Sequence, residues 1–145
     1  MPNVSKIGVL PDDIPELATK ARKEGFAYLD RLIKDFEAGK NTFAKTGEAL
    51  YEVRENTRLI AVGGLNIDPY ASGAAVGRVR RFYVDPDYRR RGVGTLLIQE
   101  IEHFAAKSFS ELRLLTDTAR GAQFYAQLGY QKVVGREHVS HFKKL

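Results

Sequence analysis

The sequence predicts an α+β fold in which a mixed, mostly antiparallel sheet is flanked by about four helices. Three observations predict it. Apolar residues recur at helical spacing up to Gly39 and in strand-like runs after it. The two runs in "EALYEVRENTRLIAVGGLNI" are separated only by Glu55-Asn56-Thr57-Arg58, which reads as a hairpin. Later helical segments stand singly between strands, so the pattern is not that of a doubly wound parallel sheet. No repeat, low-complexity tract or Pro/Ser-rich linker divides the 145 residues, and residues 1–145 read as one domain large enough to bury a core.

The elements follow in order. "KIGVL" (Lys6–Leu10) is a short apolar run and reads as the first strand. Pro11-Asp12-Asp13 supplies a turn and a helix start, with acidic residues suited to a first turn. Helices are expected over Ile14–Lys23 and Phe26–Glu37. In the second, Leu29, Leu32, Ile33 and Phe36 mark one face and Gly39 the stop. After the hairpin, the loop "DPYASGAA" leads to a fourth strand, Val76–Val84, which Asp85-Pro86-Asp87 ends because proline lacks the ladder donor. Strand alternation places Arg78 and Arg80 on the face of Phe82 and Val84. Val93, Leu96, Leu97, Ile101 and Phe104 then line one face of a helix that opens at Gly92-Val93-Gly94. "LRLLTD" (Leu112–Asp117) is a strand, "ARGAQFYAQLGY" (Ala119–Tyr130) a short helix closed by Gly129, and "YQKVVG" and "HVSHFKKL" two more strands. The predicted order is β-α-α-β-β-β-α-β-α-β-β.

Composition narrows the chemistry. There is no cysteine, which excludes disulfides, thiolate metal sites and an acyl-cysteine intermediate. No run approaches the ~18 apolar residues of a membrane span, and "MPNVSKIGVLPDD" lacks the apolar core of a secretory signal. A cytoplasmic protein without a membrane partner is the expectation. The net charge of +5 favours anionic partners. A basic nucleic-acid-binding module is therefore an alternative, but the charge is spread along the chain and carries no recognised nucleic-acid motif. No metal is expected: His138 and His141 are three apart in a strand-like segment and point to opposite faces.

The segment "YVDPDYRRRGVGTLL" poses the central question. The first turn of a helix has N–H groups without intrahelical partners, and with the positive end of the dipole they form an anion site. Gly92 and Gly94 allow close backbone approach, and Arg89, Arg90 and Arg91 add positive charge. The same features also describe a solvated basic turn. Leu97 stands where a dinucleotide fingerprint needs its third glycine, and no P-loop Gly-Lys-Ser/Thr is present.

The downstream segment decides between the two. Arg89-x-x-Gly92-x-Gly94 has the form Arg/Gln-x-x-Gly-x-Gly/Ala, and "ARGAQFYAQLGY" resembles Ala-x-x-Phe-Tyr-x-x-x-Gly-Phe/Tyr. In this order and spacing, after a strand ending in Val-x-Pro, the pair resembles the GNAT superfamily of N-acetyltransferases. The element order carries the resemblance over residues 4 to 145. It implies a sheet of about seven strands, splayed between strands 4 and 5, with acetyl-CoA as cosubstrate in the gap. The backbone of Phe82, Tyr83 and Val84 would pair with the pantetheine arm. The turn Arg89, Arg90, Arg91, Gly92, Val93, Gly94 and Thr95 would receive the pyrophosphate. Thr118 stands where the family often has an asparagine that contacts the cofactor arm.

Tyr125 falls on the family's tyrosine near the thioester sulfur, where a phenol can protonate the departing thiolate as general acid; an aromatic packed under the sheet is the other reading. The implied reaction is direct attack by a primary amine, small-molecule or peptide, in a ternary complex, by a monomer or homodimer. A catalytically silent relative that senses acyl-CoA is a further alternative. Glu48, Glu52, His138 and His141 are candidate bases, or ordinary surface residues. Tyr28, Asp30, Arg31, Asp68, Tyr70, Arg136 and His138 lie in segments that usually grip the acceptor. Arg78 and Arg80 could hold an acceptor carboxylate, or pair with Glu48, Glu52 or solvent.

Overall fold

Strands joined by tight turns pair in sequence until the chain needs a crossover, and that crossover shapes this sheet. The computed structural model describes residues 1–73 and 75–145. The strands are β1 (Pro2–Ile7), β2 (Ala49–Glu55), β3 (Arg58–Ile67), β4 (Val76–Val84), β5 (Glu111–Leu114), β6 (Gln131–Lys132) and β7 (His141–Lys144). They form one seven-stranded sheet in the order β1-β2-β3-β4-β5-β7-β6. Among the described residues every neighbouring pair is antiparallel except β4–β5, which is parallel. A parallel pair needs a long connection, and α3 (Val93–Ala105) provides it. The other helices are α1 (Ile14–Lys23), α2 (Tyr28–Glu37) and α4 (Ala119–Gln127). This is the expected α+β architecture.

Each face of the sheet carries its own core. On one side Val93, Leu97, Ile98, Ile101 and Ala105 of α3 pack with Tyr125 of α4 against Ala61, Leu65 and Val79. On the other, Ile14, Leu17 and Ala21 of α1 and Leu29 and Leu32 of α2 pack against Leu50, Val62 and Tyr83. Leu29 and Leu32 are fully buried, and each such side chain contributes about 1.5–3 kcal/mol. Phe43 closes this second core by lying over Gly64, where any Cβ would overlap its ring.

Four strands differ from expectation in their boundaries, and α2 starts at Tyr28 rather than Phe26. β1 spans Pro2–Ile7 rather than Lys6–Leu10, because its ladder runs antiparallel along β2 and meets Leu50 at Ile7, where β2 begins. Val9, part of the apolar run, is 73% exposed. β5 ends at Leu114 rather than Asp117, since its pairing with β7 stops at His141. β6 keeps only Gln131 and Lys132, and β7 begins at His141.

Candidate functional site

β4 and β5 pair only from Val76↔Glu111 to Arg78↔Arg113, while β4 continues to Val84. From Val79 onward β4 has no β5 partner, and the sheet opens there. A bulge shapes the open edge. Val62 faces Tyr83 and Gly64 faces Arg80, so Gly63 stands opposite both Arg81 and Phe82. Arg81 accommodates the extra residue with φ of 56°, a left-handed conformation that a bulged strand uses.

The bulge corrects the predicted alternation. Val79, before it, and Phe82 and Val84, after it, all face α3. Arg78 and Arg80 therefore lie on the opposite face, toward α1 and α2, and do not share a side with Phe82 and Val84. One inserted residue reverses the parity of everything beyond it.

The carbonyls along the open edge are held by side chains. Tyr28 Oη donates to the Phe82 carbonyl at 2.9 Å, and Arg89 Nε donates to the Val84 carbonyl at 3.2 Å. Tyr83 is different: its ring is a core group, 2% exposed, and its hydroxyl donates to Glu24.

Beyond β4 the chain makes one 3-10 turn, Pro86–Tyr88, capped by Asp85, whose Oδ1 accepts from the Asp87 amide at 2.9 Å. Two α1-end groups anchor this segment. Lys20 Nζ donates to Asp85 Oδ2 at 2.7 Å, and Glu24 receives Arg89 Nη1 at 2.8 Å and Nη2 at 2.6 Å. The Arg89 guanidinium is thus a tie to α1, and burial of Asp85 (1% exposed) depends on Lys20. Arg91 lies over the Tyr88 ring at 5.2 Å, and Arg90 is exposed with φ of 64°.

Gly92 then caps α3 with φ of 80° and no side-chain cap bond. Left-handed backbone of this kind suits glycine. The helix bonds begin at Leu96, whose N–H donates to the Gly92 carbonyl at 3.0 Å. The amides of Val93, Gly94 and Thr95 belong to the first turn, which lacks intrahelical partners. A Cβ at Gly92 would meet nothing within 4 Å, so the space beside it is open. At Gly94 a Cβ would press on Phe124 Cζ at 3.1 Å, which keeps α3 and α4 close. Open space beside unpaired amides fits a phosphate.

α4 places Tyr125 beside this opening. Its ring packs at 6.1 Å from Phe82, 5.0 Å from Phe124, 5.4 Å from Tyr130 and 6.4 Å from His141, centroid to centroid. Burial pushes its phenol well above the usual range, with a smaller contribution from Tyr28, and no hydrogen bond contributes. Burial likewise pushes Tyr28 up to about 12. Both phenols are protonated donors at neutral pH. Thr118 caps α4, its hydroxyl accepting from the Gly121 amide at 3.0 Å. That oxygen is already engaged, whatever else its proton does.

Of the candidate bases, His141 alone is named above as a neighbour of the Tyr125 ring. Glu48 accepts from the Lys45 and Ile67 amides, at 3.2 and 2.9 Å. Glu52 holds Arg54 at 3.0 Å, in a network with Asp13 at the start of α1. His138 is exposed and stacks on Tyr70 at 3.9 Å. His141 is buried, with Nδ1 at 2.9 Å from Ser140 Oγ, and burial lowers its pKa. Sequence reasoning missed Glu24 as an anchor and the Arg81 bulge. The one signal for the bulge was the polar pair Arg80-Arg81, which interrupts the alternation of β4.

A family model described as "Acetyltransferase (GNAT) domain" matches residues 46–132. The chain belongs to the GNAT acetyltransferase family, and membership supports acyl transfer from an acyl-CoA. Solved structures agree with the fold. A candidate acetyltransferase from Exiguobacterium sp. 255-15 superimposes with a TM-score of 0.89 at 27% identity, over 99% of this chain and 93% of that one. The PaiA N-acetyltransferase of Thermoplasma acidophilum, solved in complex with coenzyme A, gives 0.68 at 18% identity, over 99% of each chain. The ribosomal-protein-S18-alanine N-acetyltransferase of Escherichia coli gives 0.66 at 14% identity, over 98% of this chain and 90% of that one. At the two lower identities the likeness is one of fold.

Proposed function

We propose that the chain transfers an acetyl group from acetyl-CoA to a primary amine by direct attack within a ternary complex. One observation carries the reading: the turn with unpaired amides at Gly92–Thr95 and the buried phenol of Tyr125 flank the same opening between β4 and β5. The amides of Val93, Gly94 and Thr95 hold the pyrophosphate, and preorganised backbone donors carry most of that affinity. Exposed Arg90 and Arg91 add attraction at long range and little contact energy. Backbone of Phe82 and Val84 aligns the pantetheine arm along the open edge.

Acetyl-CoA supplies an activated thioester. The amine nitrogen bonds to the thioester carbon, the carbon–sulfur bond breaks, and Tyr125 gives its proton to the departing thiolate. The proton lost by the amine restores the phenol through solvent. Tyr125 holds its proton at neutral pH, as an ordinary phenol does, and burial raises its pKa further. Tyr28 fixes the Phe82 carbonyl and so the position of the bulge.

The test is thermal. A ligand that binds only the native state raises Tm, so millimolar acetyl-CoA is expected to raise it, and release of CoA should follow addition of a suitable amine. No shift sinks the cofactor assignment. A shift without CoA release across a broad amine panel favours an acyl-CoA sensor.

A further inference from the structure

Three arginines stand within four residues of β4: Arg78 and Arg80 face the α1–α2 side by the alternation that precedes the bulge, and the bulged Arg81 reaches toward Asp35 of α2. Arg78 lies opposite Asn66, which pairs amide to amide with Asn41 on that face. Arg80 lies opposite Gly64, the glycine beneath Phe43. Arg81 Nη2 is 4.0 Å from Asp35 of α2. Arg31 joins them, since Tyr28, Arg31 and Asp35 share one face of α2 at helical spacing. Desolvation, and then the charges of Arg80 and Arg31, hold Arg81 down to about 10.

The carboxylates present do not satisfy this cluster. Arg78 is 3.5 Å from Asp68 and Arg81 is 4.0 Å from Asp35, both longer than the ~2.7–2.9 Å of a charge-assisted hydrogen bond. Elsewhere the same chain pairs arginine closely: Arg54, Arg89 and Arg113 have carboxylate oxygens at 2.9, 2.6 and 2.6 Å. The Arg78 side chain is only 7% exposed, yet its Nη1 has no hydrogen-bond partner among the described residues. A buried charge without full pairing is costly, so a retained one points to a partner that arrives from outside. The cluster also borders the reaction centre, because Arg81 directly precedes Phe82, whose carbonyl Tyr28 holds.

We infer that the acceptor is an amine bearing an anionic oxyacid group, carboxylate or phosphate, held by Arg81, Arg80 and Arg31 above Arg78 on the α2 side of β4. The inference rests on the acetyltransferase reading above. Guanidinium forks match both oxyanions, and their field repels polyamines and lysine-rich peptides. Positive charge beside the bound amine also favours its neutral, nucleophilic form.

The experiment measures CoA release from acetyl-CoA with matched amines: β-alanine against β-alaninamide, aspartate against asparagine, phosphoethanolamine against ethanolamine, and spermidine as the cationic control. The expected result is kcat/KM at least ~10-fold higher for the anionic member of a pair, which corresponds to about 1.4 kcal/mol. The pair that shows it tells carboxylate from phosphate. Arg81→Gln and Arg31→Gln should each raise KM for that acceptor about tenfold or more, with the acetyl-CoA-induced Tm shift unchanged, and Arg81→Lys should restore part of the loss. Should Arg81→Gln fail to fold, Arg31→Gln, on an exposed position of α2, gives the reading. Equal or better turnover of the neutral or cationic amines overturns the inference and leaves the transferase reading standing. No release from any amine, with the acetyl-CoA Tm shift intact, overturns both.

Discussion

Glu24 grips Arg89 with both carboxylate oxygens, at 2.8 and 2.6 Å, and so fixes the arginine turn to the C-terminal end of α1. Lys20, one helical turn earlier, holds Asp85 at the other end of the same segment. The geometry of the Gly92 turn therefore depends on a helix across the sheet. Glu24→Gln is expected to weaken acetyl-CoA binding about tenfold, roughly 1.4 kcal/mol, while lowering Tm by only a few degrees. Isothermal titration of wild type and variant measures it, and equal affinities would remove the anchoring role.

The same ion pair predicts an acid limb of stability. Hydrogen bonds from Arg89 lower the Glu24 carboxyl from its ordinary 4.5 to about 2, against the opposing effect of burial. A depressed carboxylate stabilises the fold fully above its unfolded pKa, and that contribution fades as pH falls through the folded value. The stability gap between wild type and Glu24→Gln should hold steady near pH 7 and close between about 4.5 and 2. The pair is partly solvent-screened, so its size is on the order of 1 kcal/mol. Urea unfolding at three pH values reads the gap directly; one that widens toward low pH contradicts this account.

Tyr125→Phe should lower kcat by about 10²-fold or more, the usual worth of a positioned general acid. The Tm shift caused by acetyl-CoA should stay as it is, because the ring contacts with Phe82 and Phe124 remain. Full activity in the variant would return Tyr125 to a packing role.

Gly92→Ala and Gly129→Ala form a matched pair. Both glycines have left-handed backbone, with φ of 80° and 90°, and neither added Cβ meets an atom closer than 3.7 Å. Each substitution should cost about 1 kcal/mol in stability from backbone strain. Only Gly92→Ala should also weaken acetyl-CoA binding, since its methyl enters the open space beside the first-turn amides. Equal affinities in both variants would move the phosphate site elsewhere.

Much of this fold is legible because local chemistry agrees with tertiary structure. Pro15 early in α1, Gly39 after α2 and Asp85-Pro86 after β4 mark ends that the structure keeps. The polar residues Asn3 and Ser5 hid β1, an edge strand specified by its pairing with β2 rather than by apolar content. The site was legible only where it is local, in the Gly92–Gly94 turn and the Phe124-Tyr125 step. Glu24 meets Arg89 across 65 residues and Tyr28 meets Phe82 across 54, and no periodicity announces such partners. Arginine is also not a residue whose propensity signals left-handed backbone, so the bulge at Arg81 left only the broken alternation as its trace.

The bulge makes chain length, as much as side-chain identity, a condition of this site. With Arg81 drawn into a regular ladder and no residue removed, alternation from Val79 would turn Phe82 and Val84 out of the aromatic layer around Tyr125 and Tyr83 out of the α1–α2 core. Deleting Arg81 itself would match β4 to the residue count of β3 and leave all three side chains on the faces they now occupy. The two faces of the sheet are told apart along this strand by that one extra residue.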